Sequence, residues 1–214
     1  MGRPVVKSVT RTETAVKALD LLAERRLQTL HGPADEFLFR YANQDIIVLA
    51  LGEWRQRKVP VRVHSACFSA HYLASRECDC REQLTVTLRE MAKLGRGIVI
   101  FLDQDGRGNG HAGLMRSAEY AREAKCTVGE AYEALGYPRD ARTYHAVPLI
   151  LRHLDVEEVI LFTNNPEKLA VLRKAGFSLE MQAVLADPAE RSHLDGYYES
   201  KRAEGHMIPQ IIAS

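Results

Sequence analysis

Apolar positions along this chain change their spacing in ways that mark out elements. Val16, Leu19, Leu22 and Ala23 recur at helical intervals with charged residues between them, which predicts an amphipathic helix over 14–26. Gly32-Pro33 breaks that pattern. Three β-rich runs follow, 36–41, 46–51 and 59–63, separated by short polar turns, and they predict an antiparallel meander. After Cys80 the spacing becomes helical again: Leu84, Leu88, Met91 and Leu94 share one face, Gly95-Arg96-Gly97 ends the helix, and 98–102 reads as a buried strand. Further helices are predicted over 114–123, 130–135 and 144–153, and a second buried strand over 158–163. A helix over 166–174 has Pro166 in its first turn and Gly176 just past its end. The polar tail, 195–206, also reads as helical. Alternation of helix with apolar strand predicts an α/β (α+β) fold, a mixed sheet with an antiparallel N-terminal meander and flanking helices. No repeat or long linker appears, so the expected organisation is a helical N-terminal extension, 1–28, followed by one domain, 29–214.

Composition narrows the function classes. The chain has 214 residues, 46% hydrophobic and 27% charged, with a formal net charge of +1. These are the values of an ordinary globular protein, and they argue against a broad basic face for nucleic acid while leaving room for a local phosphate pocket. The longest apolar runs, 46–51, 98–102, 147–151 and 159–162, are far too short to span a bilayer. The N-terminal residues lack the apolar stretch of a secretory signal. The expectation is a cytoplasmic protein with neither a nucleic-acid nor a membrane partner.

The chemistry concentrates at the cysteines. Of four, Cys67, Cys78 and Cys80 fall within fourteen residues, and Cys126 lies far from them. In a reducing compartment such clustering points to metal ligation or catalysis rather than disulfides. Thiolates are good zinc ligands, and three protein ligands leave a fourth position for a water that the metal acidifies. His64 and His71 are near enough in sequence to close the site instead. Three buried thiols in a core are the alternative, but Glu77, Asp79, Arg81 and Glu82 around them make a poor core context. Gln104-Asp105-Gly106-Arg107-Gly108 is a glycine-rich loop after a buried strand, of the kind that brings backbone N–H groups to phosphates, although it is no Walker A motif. Asp140 and Arg142 are spaced so that the carboxylate can orient the guanidinium. An arginine is almost always protonated, so its chemistry alone makes Arg142 a phosphate clamp.

Together these segments resemble a known family. RVHSAC at 62–67, CDC at 78–80 with Gln83-Leu84, GRGIVIFLDQDGRG at 95–108, LGYPRDARTY at 135–144, LFTNNPEKL at 161–169 and YESKRAEGHMI at 198–208 are similar, in order, to motifs of GTP cyclohydrolase II. The resemblance covers about residues 29–206 and makes 29–214 the catalytic domain. It implies one Zn²⁺ per chain held by Cys67, Cys78 and Cys80, and Mg²⁺ arriving with the nucleotide. It implies hydrolytic opening of the guanine imidazole ring with loss of formate, release of pyrophosphate, and a place at the first step of riboflavin synthesis. The product would be a diaminopyrimidinone ribosylamino phosphate. Arg142 would attack the α-phosphate with Asp140 assisting, and Tyr120 would take part in the ring chemistry. The nucleotide would be held by Arg62, Val63, His64, Ser65, Gln83, Asp105, Gly106, Arg107, Thr163 and Lys168. A homodimer is implied on the same footing.

The sequence also departs from the family's pattern. Ala66 stands where the family has glutamate, Arg81 where it has glycine and Asp105 where it has glutamate, and the glycine loop is longer. These changes gather around the expected nucleotide pocket, whereas the cysteines and the Asp140–Arg142 pair are kept. Three readings therefore stand side by side. The first is GTP ring opening. The second is a relative that takes another nucleotide or stops at another product, as in pyrimidine breakdown or specialised metabolism. The third is a non-catalytic protein that binds zinc and nucleotide.

Overall fold

The computed structural model describes residues 18–187 and 193–209. Its centre is a seven-stranded mixed sheet: β1 (Leu19–Thr29), β2 (Gly32–Tyr41), β3 (Gln44–Gly52), β4 (Lys58–Ser65), β5 (Arg96–Leu102), β6 (Glu158–Phe162) and β7 (Ser178–Gln182). In space the order is β1-β2-β3-β5-β4-β6-β7. The β1, β2, β3 and β5 neighbours pair antiparallel, and β5, β4, β6 and β7 pair parallel. The α/β class and the N-terminal meander expected from the sequence are both present.

The membership of that meander differs from the expectation. Residues 19–26, expected as helix, belong to β1, and 14–17 lie outside the described residues. The extension boundary at 28/29 falls inside this strand. The misleading signal has a physical origin in a register shift between Leu21 and Ala23, where Leu21 faces Phe39 and Ala23 faces Leu38. The extra residue, Leu22, throws the alternation out of phase, so Leu19, Leu22 and Ala23 imitate helical spacing. Cross-strand pairing to β2 then outweighs local propensity. The third run, 59–63, leaves the meander. It forms β4, which is separated from β3 by β5.

Tight turns set the register of the meander. Ala42 and Asn43 both have positive φ (50° and 66°) between the paired Tyr41 and Gln44, as a two-residue type I′ hairpin requires. At the preceding turn the Thr29 hydroxyl donates to the Gly32 carbonyl (2.7 Å) and accepts from the His31 N–H (3.0 Å).

Helices cover both faces. The helices are α1 (Phe68–Tyr72), α2 (Cys80–Lys93), α3 (Gly110–Ala124), α4 (Val128–Ala134), α5 (Ala146–His153), α6 (Pro166–Lys174) and α7 (Asp195–Ala203). On one face α5 and α6 bury Val147, Ile150, Leu151, Leu169 and Leu172 against Phe39, Val48, Val61 and Ile100. On the other, Met91 of α2 packs with Leu51 and Val99. A Cβ at Gly97 would lie 2.4 Å from Met91 Cγ, so the missing side chain is what lets α2 approach β5 so closely. Among the described residues no helix is long and apolar enough to cross a membrane.

This topology places a working end. The parallel strands β4, β5 and β6 all finish on one side, where Cys67, the 103–108 loop and Thr163 follow them. Ligands of open α/β sheets bind at such carboxyl ends.

Candidate active site

A cavity of about 860 Å³ opens at these strand ends. Of the residues expected to act, Arg62, His64, Ser65, Cys67, Cys78, Cys80, Gln83, Asp105, Gly106, Arg107, Arg142, Thr163 and Lys168 line it. Val63 contributes from behind, since its carbonyl accepts from Lys168 Nζ at 2.9 Å. Asp140 acts through Arg142. Tyr120 stands 38% exposed on α3 and does not line the cavity.

The three cysteine sulfurs lie within 4.8 Å of one another. Cys67 follows β4, Cys78 lies in the connecting loop and Cys80 opens α2. Cys67 and Cys78 Sγ are 3.8 Å apart. A tetrahedral zinc with bonds near 2.3 Å separates its sulfurs by about 3.8 Å, so the donor set fits that ion. Hydrogen bonds from Cys78 and Cys80 pull the Cys67 thiol down to about 2, aided by a backbone N–H at Ala70. The shared proton pushes Cys78 up to about 12, and Cys80 rises well above the usual thiol range for the same reason and through burial. Three thiols held this tightly resist joint ionisation, and a divalent cation would let all three ionise.

The histidines that might have closed the site are turned elsewhere. His71 Nδ1 lies 2.7 Å from the Cys67 carbonyl, and its Nε2 lies 3.0 Å from His64 Nε2. With His71 donating to the carbonyl, the His64 Nε2–H donates to His71 Nε2. Burial, then Arg62, holds the His64 pKa well below its ordinary value, so the ring is neutral. Among the described residues, the candidate metal cluster contains the three cysteines alone. A zinc ion held by these three residues would keep a fourth position for solvent or substrate, as catalytic zinc sites do.

The ligand loop is tied down by Asp79, which is fully buried between two of the cysteines. Its Oδ2 accepts from Gln83 Nε2 (2.8 Å) and from the Tyr198 hydroxyl (2.9 Å). Gln83 Oε1 accepts in turn from Arg62 Nη2 (2.6 Å), whose Nη1 donates to the Phe162 carbonyl (3.1 Å). One buried polar chain therefore links β4, β6, α2 and α7 around the cysteines.

The cavity is rich in cations. Lys168 is buried, and burial, then Arg62 and Arg142, drives its pKa well below the usual lysine value. Arg142 is gripped by Asp140, whose Oδ1 accepts from the Arg142 backbone N–H (3.0 Å) and from Nε (2.9 Å), while Oδ2 accepts from Nη2. Burial opposes the Arg142 charge, but Asp140 outweighs it and the pKa rises. Arg142 is thus a permanently charged clamp in this geometry. Arg107 is held in a fork by Glu204, with Nη1 and Nη2 each 3.0 Å from a carboxylate oxygen.

The glycine loop is shaped by two left-handed residues in succession, Gly106 (φ 59°) and Arg107 (φ 56°). The Arg107 carbonyl accepts from the Ala141 N–H at 2.8 Å. A Cβ on Gly108 would sit 2.8 Å from the Ala141 carbonyl carbon, so glycine is required there for the loop to dock beside Arg142. Among the sequence departures, Ala66 and Asp105 line the cavity, while Arg81 pairs with Glu82 and does not. Neighbouring residues of the longer loop are tied to its surroundings: Asn109 donates to the Pro138 carbonyl (2.9 Å), and His111 Nδ1 meets Asp105 Oδ2 (2.8 Å).

Sequence reasoning gave no role to several cavity residues: Thr127, Glu130, Tyr197, Ser200, Lys201 and His206. Thr127 carried a legible signal, because Thr127 and Glu130 form a capping box at the start of α4. Ser200, Lys201 and His206 lie in the 198–208 segment that resembles the family's tail, but only the fold brings α7 back over the cysteines and shows that they line the cavity.

Residues 20–183 match the family model described as GTP cyclohydrolase II. The GTP cyclohydrolase-2 of Neisseria gonorrhoeae is 34% identical over 195 residues, which are 90% of this chain and 98% of that protein. The riboflavin biosynthesis protein RibBA of Aquifex aeolicus is 38% identical over 210 residues, covering 95% of this chain and 50% of its own. The chain thus spans about half the length of the RibBA relatives it matches. Among solved structures, RibBX, a two-domain 3,4-dihydroxy-2-butanone 4-phosphate synthase from A. baumannii, overlays with a TM-score of 0.44 at 21% identity, over 81% of this chain and 41% of that one.

Proposed function

The chain belongs to the GTP cyclohydrolase II family of enzymes, and from that premise we propose that it is a zinc-dependent hydrolase of GTP. It opens the imidazole ring, releases formate and pyrophosphate, and leaves a diaminopyrimidinone ribosylamino phosphate at the first step of riboflavin synthesis. The observation that carries this reading is the pairing of a three-sulfur cluster at zinc spacing with a cation-lined cavity. Zinc held by Cys67, Cys78 and Cys80 would supply Lewis acidity and an acidified water for hydrolysis at an amidine carbon.

The chain's own residues do the rest. Arg62, Lys168 and Arg142 attract and neutralise the phosphate chain, with Mg²⁺ entering alongside the nucleotide. Asp140 aims Arg142 and keeps it protonated, so Arg142 serves as a clamp on the phosphate being cleaved. The backbone of Asp105-Gly106-Arg107, bent by its left-handed residues, and Thr163 at the end of β6 shape the wall. Gln83 and Arg62 couple the nucleotide pocket to the cysteine loop. Tyr120, outside the cavity, has no part in this reading. A cytoplasmic homodimer belongs to the same proposal.

One observation favours a second reading. Ala66 lines the cavity where the family has glutamate, which removes an acceptor for a base N–H, and such contacts dominate specificity. A relative acting on a different purine nucleotide would show this change. Incubating the zinc-loaded protein with a nucleotide panel, and following products by mass spectrometry, separates the two. Formate and pyrophosphate from GTP support the first. Turnover confined to another nucleotide replaces it with the second.

A further inference from the structure

Lys201 lies on α7 with its side chain 12% exposed, and it borders the cavity. Its Nζ is 3.7 Å from Glu204 Oε2 and 5.8 Å from the Tyr197 ring centroid, and it makes no hydrogen bond among the described residues. Glu204 is shared between two cations: both its oxygens accept from Arg107 at 3.0 Å, while Lys201 Nζ stays at 3.7 Å, beyond hydrogen-bond distance. An ammonium with three donors is therefore held largely out of water with no acceptor within hydrogen-bond distance among the described residues. Burial, then Arg107, lowers its pKa to about 8, against the opposing pull of Glu204.

The charges around it do not cancel. Asp140 pairs with Arg142, Arg107 and Lys201 share the single carboxylate of Glu204, and Lys168 has no ion pair among the described residues. Arg107, expected from the sequence to reach phosphate, spends its two terminal nitrogens on Glu204. That pair fixes α7 against the glycine loop and sets Lys201 at the cavity wall.

We propose that Lys201 is a substrate-binding residue that donates to the phosphate chain of the nucleotide, delivered by α7 and positioned by the Arg107–Glu204 pair. This rests on the nucleotide reading of the cavity above, and nothing in the sequence comparison assigned it.

The test uses the full-length zinc-loaded protein and inorganic pyrophosphate as the probe, with affinity read by calorimetry. Lys201→Gln weakens pyrophosphate binding about 10- to 100-fold, the range for one charge-assisted hydrogen bond, with guanosine affinity unchanged. Lys201→Arg keeps affinity within about three-fold of the unsubstituted protein, since it restores the charge and the donors. In the unsubstituted protein, pyrophosphate slows acetylation of Lys201 by acetic anhydride, with exposed Lys93 as the control. Equal pyrophosphate affinity in the Gln variant overturns the proposal, as does an Arg variant as weak as the Gln variant. An acetylation rate at Lys201 indifferent to pyrophosphate overturns it without any substitution. GTP turnover that ignores Lys201 removes this residue and spares the GTP reading. Lys201-dependent pyrophosphate binding without GTP turnover does the reverse.

Discussion

The hydroxyl of Tyr198 donates to Oδ2 of Asp79 at 2.9 Å across 119 positions of sequence. Asp79 sits between two of the three cysteines, so this bond ties the C-terminal helix to the metal loop. Tyr198 is itself fully buried, with Leu194 and Ile208 around it. Asp79 is fully buried, so its carboxylate depends on such protein donors in place of water. Tyr198→Phe should therefore cost about 1–3 kcal/mol, seen as a fall in Tm of roughly 2–10 °C. Zinc affinity, measured by chelator competition, should fall with it. An unchanged affinity would show that α7 does not support the metal loop.

Gly108 marks the contact between the glycine loop and the Asp140–Arg142 segment. Its φ of 82° and the 2.8 Å approach to Ala141 leave no room for a methyl group. Gly108→Ala should destabilise by about 1–3 kcal/mol through backbone strain and displacement of the loop. Steady-state kinetics should show kcat/KM falling further than a surface substitution of equal cost would produce, because Arg142 moves with the loop.

Arg142 is assigned to phosphate and not to the metal. Arg142→Ala should lower pyrophosphate release at least about 100-fold while zinc content by atomic absorption stays the same. Arg142→Lys should recover only part of the loss, because a lysine cannot reproduce the fork held by Asp140. Loss of zinc in either variant would instead give Arg142 a structural role.

His206 introduces a pH dependence. Burial, then Lys201 and Arg142, holds its pKa down at about 3 in the folded protein. In the unfolded chain it titrates near 6.5. Between these values the unfolded state binds more protons, so stability falls as pH falls. His64, also held below its ordinary pKa, acts in the same direction. Melting curves should show Tm dropping from pH 7.5 to pH 6.0, and His206→Gln should make that slope shallower. An equal slope in the variant would remove His206 from the account.

The cysteine cluster and the Asp140–Arg142 contact were legible before any fold was known, because both join residues close in sequence. Helices such as α2 and α6 were legible too, since their apolar faces keep one period and their ends carry Gly or Pro. What escaped was set by contacts distant in sequence. The bulge at Leu22 made β1 look like a helix, and only its ladder to β2 corrects that. The insertion of β5 between β3 and β4 is a topological fact that no window of sequence contains. Tyr120, which the family resemblance implied in the ring chemistry, lies partly exposed on α3 and outside the cavity. Lys201 lies in the family-like segment 198–208, yet that segment gave it no role until the fold set it at the cavity wall near Glu204.

The central claim is that hydrolysis depends on a metal held by Cys67, Cys78 and Cys80. Its most direct test is to strip the protein of metal, titrate Zn²⁺ back in the presence of GTP and Mg²⁺, and quantify formate released against zinc bound per chain. The account predicts that formate release rises in proportion to zinc, saturates at one zinc per chain, and is lost together with zinc in Cys78→Ser. Formate release from metal-free protein, or from a Cys78→Ser variant that holds no zinc, would contradict it.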